Sequence, residues 1–438
     1  MEINRFQNYD NEVRELVLAY EDMLRNGHQR YFDVDQLEVV IDYYLEHADI
    51  DMLEGAVAYG QRLFPGDDDM LLRKAHLLSA KGQHEQALSL LQDLERRNPD
   101  NTDIQYALGA VYSALEQPRR AIQYYQKASR DGYELGMVYG NIADEYYHLG
   151  RDDEAIRYYR KAIAANPDEE RSLYNLASGL NELGRDEEAY TFFDRFVHDH
   201  PYNKVGWYCL GNILMTNQRF ESAIDAFEYV LTIDNSFFNA YAGKAECYRQ
   251  LNRLADAVST LRESIDFSED RSNVYFAIGC IYRDQNNFPT ALIYLKKATD
   301  EDPFFRDAWL VSAECCEGLS DPAEAERLYQ RVLGLDGGCE ESWLAYSDFL
   351  MRQQRYNDAL DLLQQHIIDA DDQFSFNIRL VTCYYHTGRR NFLYNALQAC
   401  LHDEDAYTRM FQLFQLCPEL QSDPDVINMV NDIQSENS

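Results

Sequence analysis

An alanine returns every 34 residues along most of this chain: Ala87, Ala121, Ala155, Ala189, Ala223, Ala257, Ala291, Ala325 and Ala359 follow one another without an insertion. A fixed period of that length marks a repeat array, in which each unit buries its apolar face only against its neighbours. The stretch DDEAIRYYRKAIAAN, from Asp152 to Asn166, shows the make-up of half a unit. Its apolar residues recur at helical spacing, its acids stand in the first turn where they favour the helix dipole, and Pro167 ends the run. At 438 residues the chain is longer than one hydrophobic core usually serves, and the period selects an array over separate globular domains.

The register divides residues 34–407 into eleven units of 34, starting at 34, 68, 102, 136, 170, 204, 238, 272, 306, 340 and 374. Each unit reads as two helices. In the fourth, Gly136 to Leu149 form the first helix, Gly150 and Arg151 turn the chain, and Asp152 opens the second. The eighth position of the first helix is small in nine units, as Ala75, Gly109, Ala143, Ala177, Gly211, Ala245, Gly279, Ala313 and Ser347. Small residues there and at the periodic alanine let two helices approach closely, with larger apolar residues filling the layers between.

Residues 1–33 precede the register. A helix is expected from Asn11 to Arg25, with Val13, Leu16, Val17, Tyr20, Met23 and Leu24 on its apolar side, capping the open face of the first unit. Residues 408–438 complete the C-terminal cap. One helix is expected from Ala406 to Leu416 with Met410, Phe411, Leu413 and Phe414 inward, and a second from Pro424 to Ile433, before a short disordered tail.

The formal net charge of -36 disfavours nucleic acid and anionic membrane as partners. Nine cysteines without a C-x-x-C pair read as reduced thiols, and no apolar run approaches membrane-spanning length, so a cytoplasmic address is expected. No phosphate-binding glycine loop, H-E-x-x-H or G-x-S-x-G motif is present. His198 and His200 read as solvated residues at a helix end, and Cys315 and Cys316 as packing residues. No catalytic residue, metal or cofactor is expected.

The unit pattern resembles the tetratricopeptide repeat. The residues that carry the likeness are Trp207, Trp309 and Trp343 at position 4, the small residues at 8, Tyr112, Tyr146, Tyr248 and Tyr282 at 11, and the alanines at 20. Tyr125, Tyr159, Phe193, Phe227 and Tyr329 follow at 24, and Pro65, Pro99, Pro167, Pro201 and Pro303 at 32. The first and last units depart from it, with Ile41, Leu53, Val381 and Leu393 at the small positions. The resemblance implies an all-α fold, a right-handed α-α superhelical solenoid of helix pairs with a helical cap at each end.

It further implies that positions 2, 5, 6, 9, 12 and 13 of the first helices line a concave groove. In the middle units these hold Asn141, Asp144, Tyr147 and His148; Tyr174, Asn175, Ser178 and Asn181; Tyr208, Cys209 and Asn212; Glu246 and Arg249; Phe276 and Arg283. The candidate peptide-binding residues are Asn141, Tyr174, Asn175, Tyr208, Asn212, Arg249 and Arg283. The amides are expected to bond a peptide backbone, the tyrosines to stack on its side chains, and the arginines to meet an acidic side chain or terminal carboxylate. No unit has lysine at position 5, so the two-carboxylate clamp of chaperone-binding members is incomplete.

The expected function is a non-catalytic adaptor or scaffold for a protein or peptide ligand, acting as a monomer or weak homo-oligomer. Two alternatives stand beside it: a structural protein that self-associates through its terminal helices, and an enzyme with an unrecognised groove site.

Overall fold

A computed structural model describes residues 11–26, 30–132, 134–268, 270–335, 339–369, 372–401 and 406–436. These residues hold 25 α-helices and no strand. The chain divides into two compact units, Met1–Ile233 and Asp234–Ser438.

In the first unit the helix Asn11–Asn26 precedes six helix pairs, from Val34–Glu46 with Ile50–Leu63 to Lys204–Thr216 with Phe220–Ile233. In the second, five pairs run from Phe238–Gln250 with Leu254–Ser264 to Gln373–His386 with Arg390–Leu401, followed by Ala406–Leu416, a 3₁₀ turn Pro418–Ser422 and Pro424–Glu436. Within each unit every second helix packs on its own first helix and on the first helix of the next pair. Each unit is therefore a solenoid, with no core deeper than adjacent pairs.

The two small positions of the sequence have separate packing causes. A Cβ on Gly109 would lie 2.6 Å from the Tyr125 ring, one on Gly211 2.7 Å from Phe227, and one on Gly279 2.8 Å from Leu295. Position 8 is thus small because position 24 of the same unit is large and lies against it. The periodic alanines are all buried, with Ala155 the most exposed of them at 2%.

The turn between paired helices carries a second periodicity. A left-handed residue stands at Ala48, Gly82, Glu116, Gly150, Gly184, Gln218, Asn252, Asn286, Ser320, Gln354 and Gly388, always the fifteenth position. The next residue donates back to the carbonyl of position 11, as Arg151 N to Tyr146 O at 2.9 Å and Gln117 N to Tyr112 O at 2.9 Å. This is the Schellman ending of the first helix, and it fixes the reversal in every pair.

At the ends, Ile41, Leu53, Val381 and Leu393 are fully buried. They replace small residues in pairs that face a cap on one side. Leu16, Val17, Tyr20 and Met23 are buried as expected, but Leu24, four residues after Tyr20 on the same stripe, is 52% exposed near the end of the helix. Phe411 is likewise 64% exposed, on the far side of the helix from buried Leu413. The last helix continues past Ile433 to Glu436 where a disordered tail was expected; residues 437–438, and Gly27 near the N-terminus, lie outside the described residues.

Candidate functional site

The middle of the first unit joins its pairs through one carboxylate. Asp144, on helix Leu135–His148, accepts from the Tyr159 hydroxyl at 2.6 Å and from Asn175 Nδ2 at 3.0 Å, and pairs with Arg171 at 3.2 Å. Tyr159 rises from the second helix of the same pair, Asp152–Ala165, while Arg171 and Asn175 come from the next first helix, Glu170–Glu182. Burial, and then the carboxylate itself, push the Tyr159 hydroxyl far above the ordinary tyrosine range, so it stays a donor. Asn141 extends the network, donating to Tyr106 Oη at 2.9 Å and accepting from Arg171 at 2.6 Å.

Beside this network lies a pocket of about 500 Å³, lined by Tyr147, His148, Tyr159, Asn175, Gly179 and Glu182 and reaching the periodic Ala155. Tyr147 donates to Glu182 at 2.8 Å and Ser178 donates to its other oxygen at 3.0 Å, which fixes the carboxylate at the rim. Gly179 lies inside its helix without positive φ, and a Cβ placed there would meet nothing within 4 Å. Among the described lining residues none is lysine or arginine, whereas Asp152 and Glu182 are both acidic.

The other expected groove residues are distributed as follows. Tyr174 and Tyr208, both half-buried, meet edge to face with centroids 6.0 Å apart. Asn212 is half-buried in helix Lys204–Thr216, and its side-chain amide has no hydrogen bond among the described residues. Arg249 and Arg283 belong to the second unit. They were expected to meet a ligand's carboxylate but meet acids of their own chain: Arg249 grips Glu246 at 2.7 Å, and Arg283 reaches Asp284 at 2.9 Å and Glu314 at 3.1 Å. Glu246 and Glu314 both stand at position 9 of their units, and Asp284 at position 13.

Tyr159 and Gly179 lie off the groove positions, whereas Arg171 at position 2 and Glu182 at position 13 stand on them without being among the candidate residues. A hydroxyl at position 24, where Phe193 and Phe227 manage without one, was the available signal for Tyr159. A helix-interior glycine was the signal for Gly179. Of the thiols, burial pushes Cys315 up to about 12 and Cys316 up to about 11, which keeps both protonated and unreactive.

The helix pairs, their Schellman turns and the position 8 to position 24 packing define an α-α repeat scaffold. Tetratricopeptide repeat family models match residues 50–111, 78–134, 137–169, 171–201, 214–275, 276–338 and 317–376. The chain belongs to the tetratricopeptide repeat family.

It is 22% identical over 175 residues to the TPR repeat-containing protein YpiA of Bacillus subtilis (strain 168), covering 40% of this chain and 41% of that protein. It is 34% identical over 85 residues to the probable UDP-N-acetylglucosamine-peptide N-acetylglucosaminyltransferase SEC of Arabidopsis thaliana, covering 19% of this chain and 9% of that one. The chain thus spans less than half the length of either relative. Among solved structures, MamA matches 37% of this chain and 95% of its own at 23% identity and a TM-score of 0.33. The Cut9–Hcn1 hetero-tetramer structure matches 95% of this chain and 92% of its own at 13% identity and a TM-score of 0.39. No described helix is long and apolar enough to cross a membrane.

Proposed function

We propose that this chain is a non-catalytic scaffold whose array, residues 34–407 between two helical caps, holds a peptide segment of a partner protein along its first helices. A lysine or arginine side chain of that segment sits in the pocket between Tyr147, Gly179 and Glu182. The observation that carries this reading is Gly179. Glycine inside a helix costs about 0.5–1 kcal/mol relative to alanine, and here neither a close neighbour nor a positive φ requires it. The space it leaves belongs to the pocket.

The pocket's chemistry supports a cation. The fixed Glu182 carboxylate has lone pairs beyond those taken by Tyr147 and Ser178, and the Tyr147 ring, 46% exposed, offers a face to a positive group. The net charge of -36 draws a cationic segment toward the chain. An acidic ligand finds less support, because Arg249 and Arg283 are already paired. A stiff stack also presents these groups preorganised, which lowers the ordering cost on the scaffold side.

The test is a positional-scanning peptide library with lysine, arginine, alanine or glutamate fixed at each position in turn, bound to the full chain. The expected result is enrichment of lysine or arginine at one position, lost in Glu182→Gln. Enrichment of glutamate, or no preference for charge, would refute the cationic seat.

A further inference from the structure

The end of the last helix pair meets the C-terminal cap through three donor side chains. His386 is the final residue of helix Gln373–His386, Cys417 follows helix Ala406–Leu416, and Glu419 lies in the turn Pro418–Ser422. Their ligating atoms all lie within 4.8 Å of one another. Cys417 Sγ is 3.7 Å from His386 Nε2 and donates to Glu419 Oε2 at 3.2 Å.

The two separations from the Cys417 sulfur are close to the edges of a coordination tetrahedron. With metal–sulfur near 2.3 Å and metal–nitrogen or metal–oxygen near 2.0 Å, tetrahedral angles place the donors roughly 3.5 Å apart. The sulfur separations need a shift of only a few tenths of an ångström, and rotation of the two exposed side chains, His386 and Glu419, brings their donor atoms, already within 4.8 Å, onto the same ion. Cys417 is buried while His386 and Glu419 are exposed, so an ion arrives from solvent onto a thiol whose proton already points at a carboxylate. The imidazole is held in place by stacking on Tyr356, with centroids 4.3 Å apart and planes 14° from parallel.

We propose that His386, Cys417 and Glu419 form a Zn²⁺ site that ties the last helix pair to the C-terminal cap. On binding, the Cys417 S–H bond breaks, its proton leaves to solvent, and the sulfur lone pair forms the metal bond. Thiolate, carboxylate and neutral imidazole around a divalent ion sum to zero charge, and water takes the fourth position. A mixed sulfur, nitrogen and oxygen set suits zinc, whereas calcium and magnesium take oxygen donors. Cys417 and His386 are 31 residues apart, so the site exists only once the solenoid is wound.

The full reduced chain, stripped of metal, is titrated with Co²⁺ as the spectroscopic probe and then with Zn²⁺ in competition. The expected result is one equivalent bound, with a sulfur-to-cobalt charge-transfer band and tetrahedral ligand-field bands that Zn²⁺ removes. Cys417→Ser abolishes the charge-transfer band, and His386→Gln weakens Zn²⁺ binding by about tenfold or more. Absence of the band, or its persistence in Cys417→Ser, overturns the site. Should Cys417→Ser lose helical circular dichroism, Glu419→Gln decides: it alters an exposed residue, and Zn²⁺ affinity equal to wild type overturns the three-ligand assignment.

Discussion

The Tyr159 hydroxyl and Asn175 Nδ2 donate to the same oxygen of Asp144, at 2.6 Å and 3.0 Å, so one carboxylate binds together both helices of one pair and the first helix of the next. Tyr159 is 4% exposed, which makes this hydrogen bond to a charged acceptor a strong one. Tyr159→Phe is expected to lower unfolding stability by about 1.5–3 kcal/mol, read as a fall in the urea midpoint. An unchanged midpoint would show that Arg171 and Asn175 satisfy Asp144 without it.

Two glycines of similar helical setting should answer alanine in opposite ways. Gly211→Ala drives a Cβ to 2.7 Å from the Phe227 ring, and overpacking of this kind costs about 1–3 kcal/mol. Gly179→Ala meets nothing within 4 Å and should stabilise by about 0.5–1 kcal/mol. Thermal and urea unfolding of the two variants beside wild type measures both signs.

The left-handed fifteenth position makes a similar contrast. Glu116, exposed and at φ 56°, has a Cβ that this conformation disfavours, so Glu116→Gly is expected to gain several tenths of a kcal/mol up to about 1. Gly150→Ala, at φ 65°, should lose a comparable amount. Paired chemical denaturation of these variants provides the measurement.

The first pairs carry excess negative charge. Burial first, and then Asp67, raise the Asp69 carboxyl above its usual value of 3.8. A raised folded pKa means the folded chain binds the proton more readily than the unfolded chain, so this group's stabilising contribution is present below pH 3.8 and is lost as pH rises through the folded value. Asp69→Asn should therefore be more stable than wild type at pH 7, by tenths of a kcal/mol for so exposed a group, and the difference should vanish in acid. Stability curves of both proteins from pH 3 to 7 check the sign.

The helix pairs were legible because close helix contact demands small residues at fixed places, and the demand repeats. The turns were half legible: Gly150 announces a left-handed residue, whereas Glu116, Gln218 and Gln354 hold the same conformation with side chains that give no sign of it. The groove was legible by position and not by partner. Asn141 and Asn175 stand where the repeat pattern puts them, yet their amides are committed to Tyr106, Arg171 and Asp144, which lie 30 to 35 residues away. The same holds for Arg283 and Glu314, separated by 31 residues. A solenoid brings residues about one period apart into contact, and spacing rules for local motifs do not see such pairs.

The measurement closest to the central claim compares wild type with Gly179→Leu in fluorescence anisotropy titrations, using a lysine- or arginine-bearing peptide selected from the library. Leucine improves helix propensity and fills the open space beside Glu182, so the fold is retained while the seat is closed. The expected result is a variant at least as resistant to urea as wild type whose affinity falls by about tenfold, or 1.4 kcal/mol. Equal affinity in the two proteins would contradict the pocket at Gly179 as the place where the partner is held.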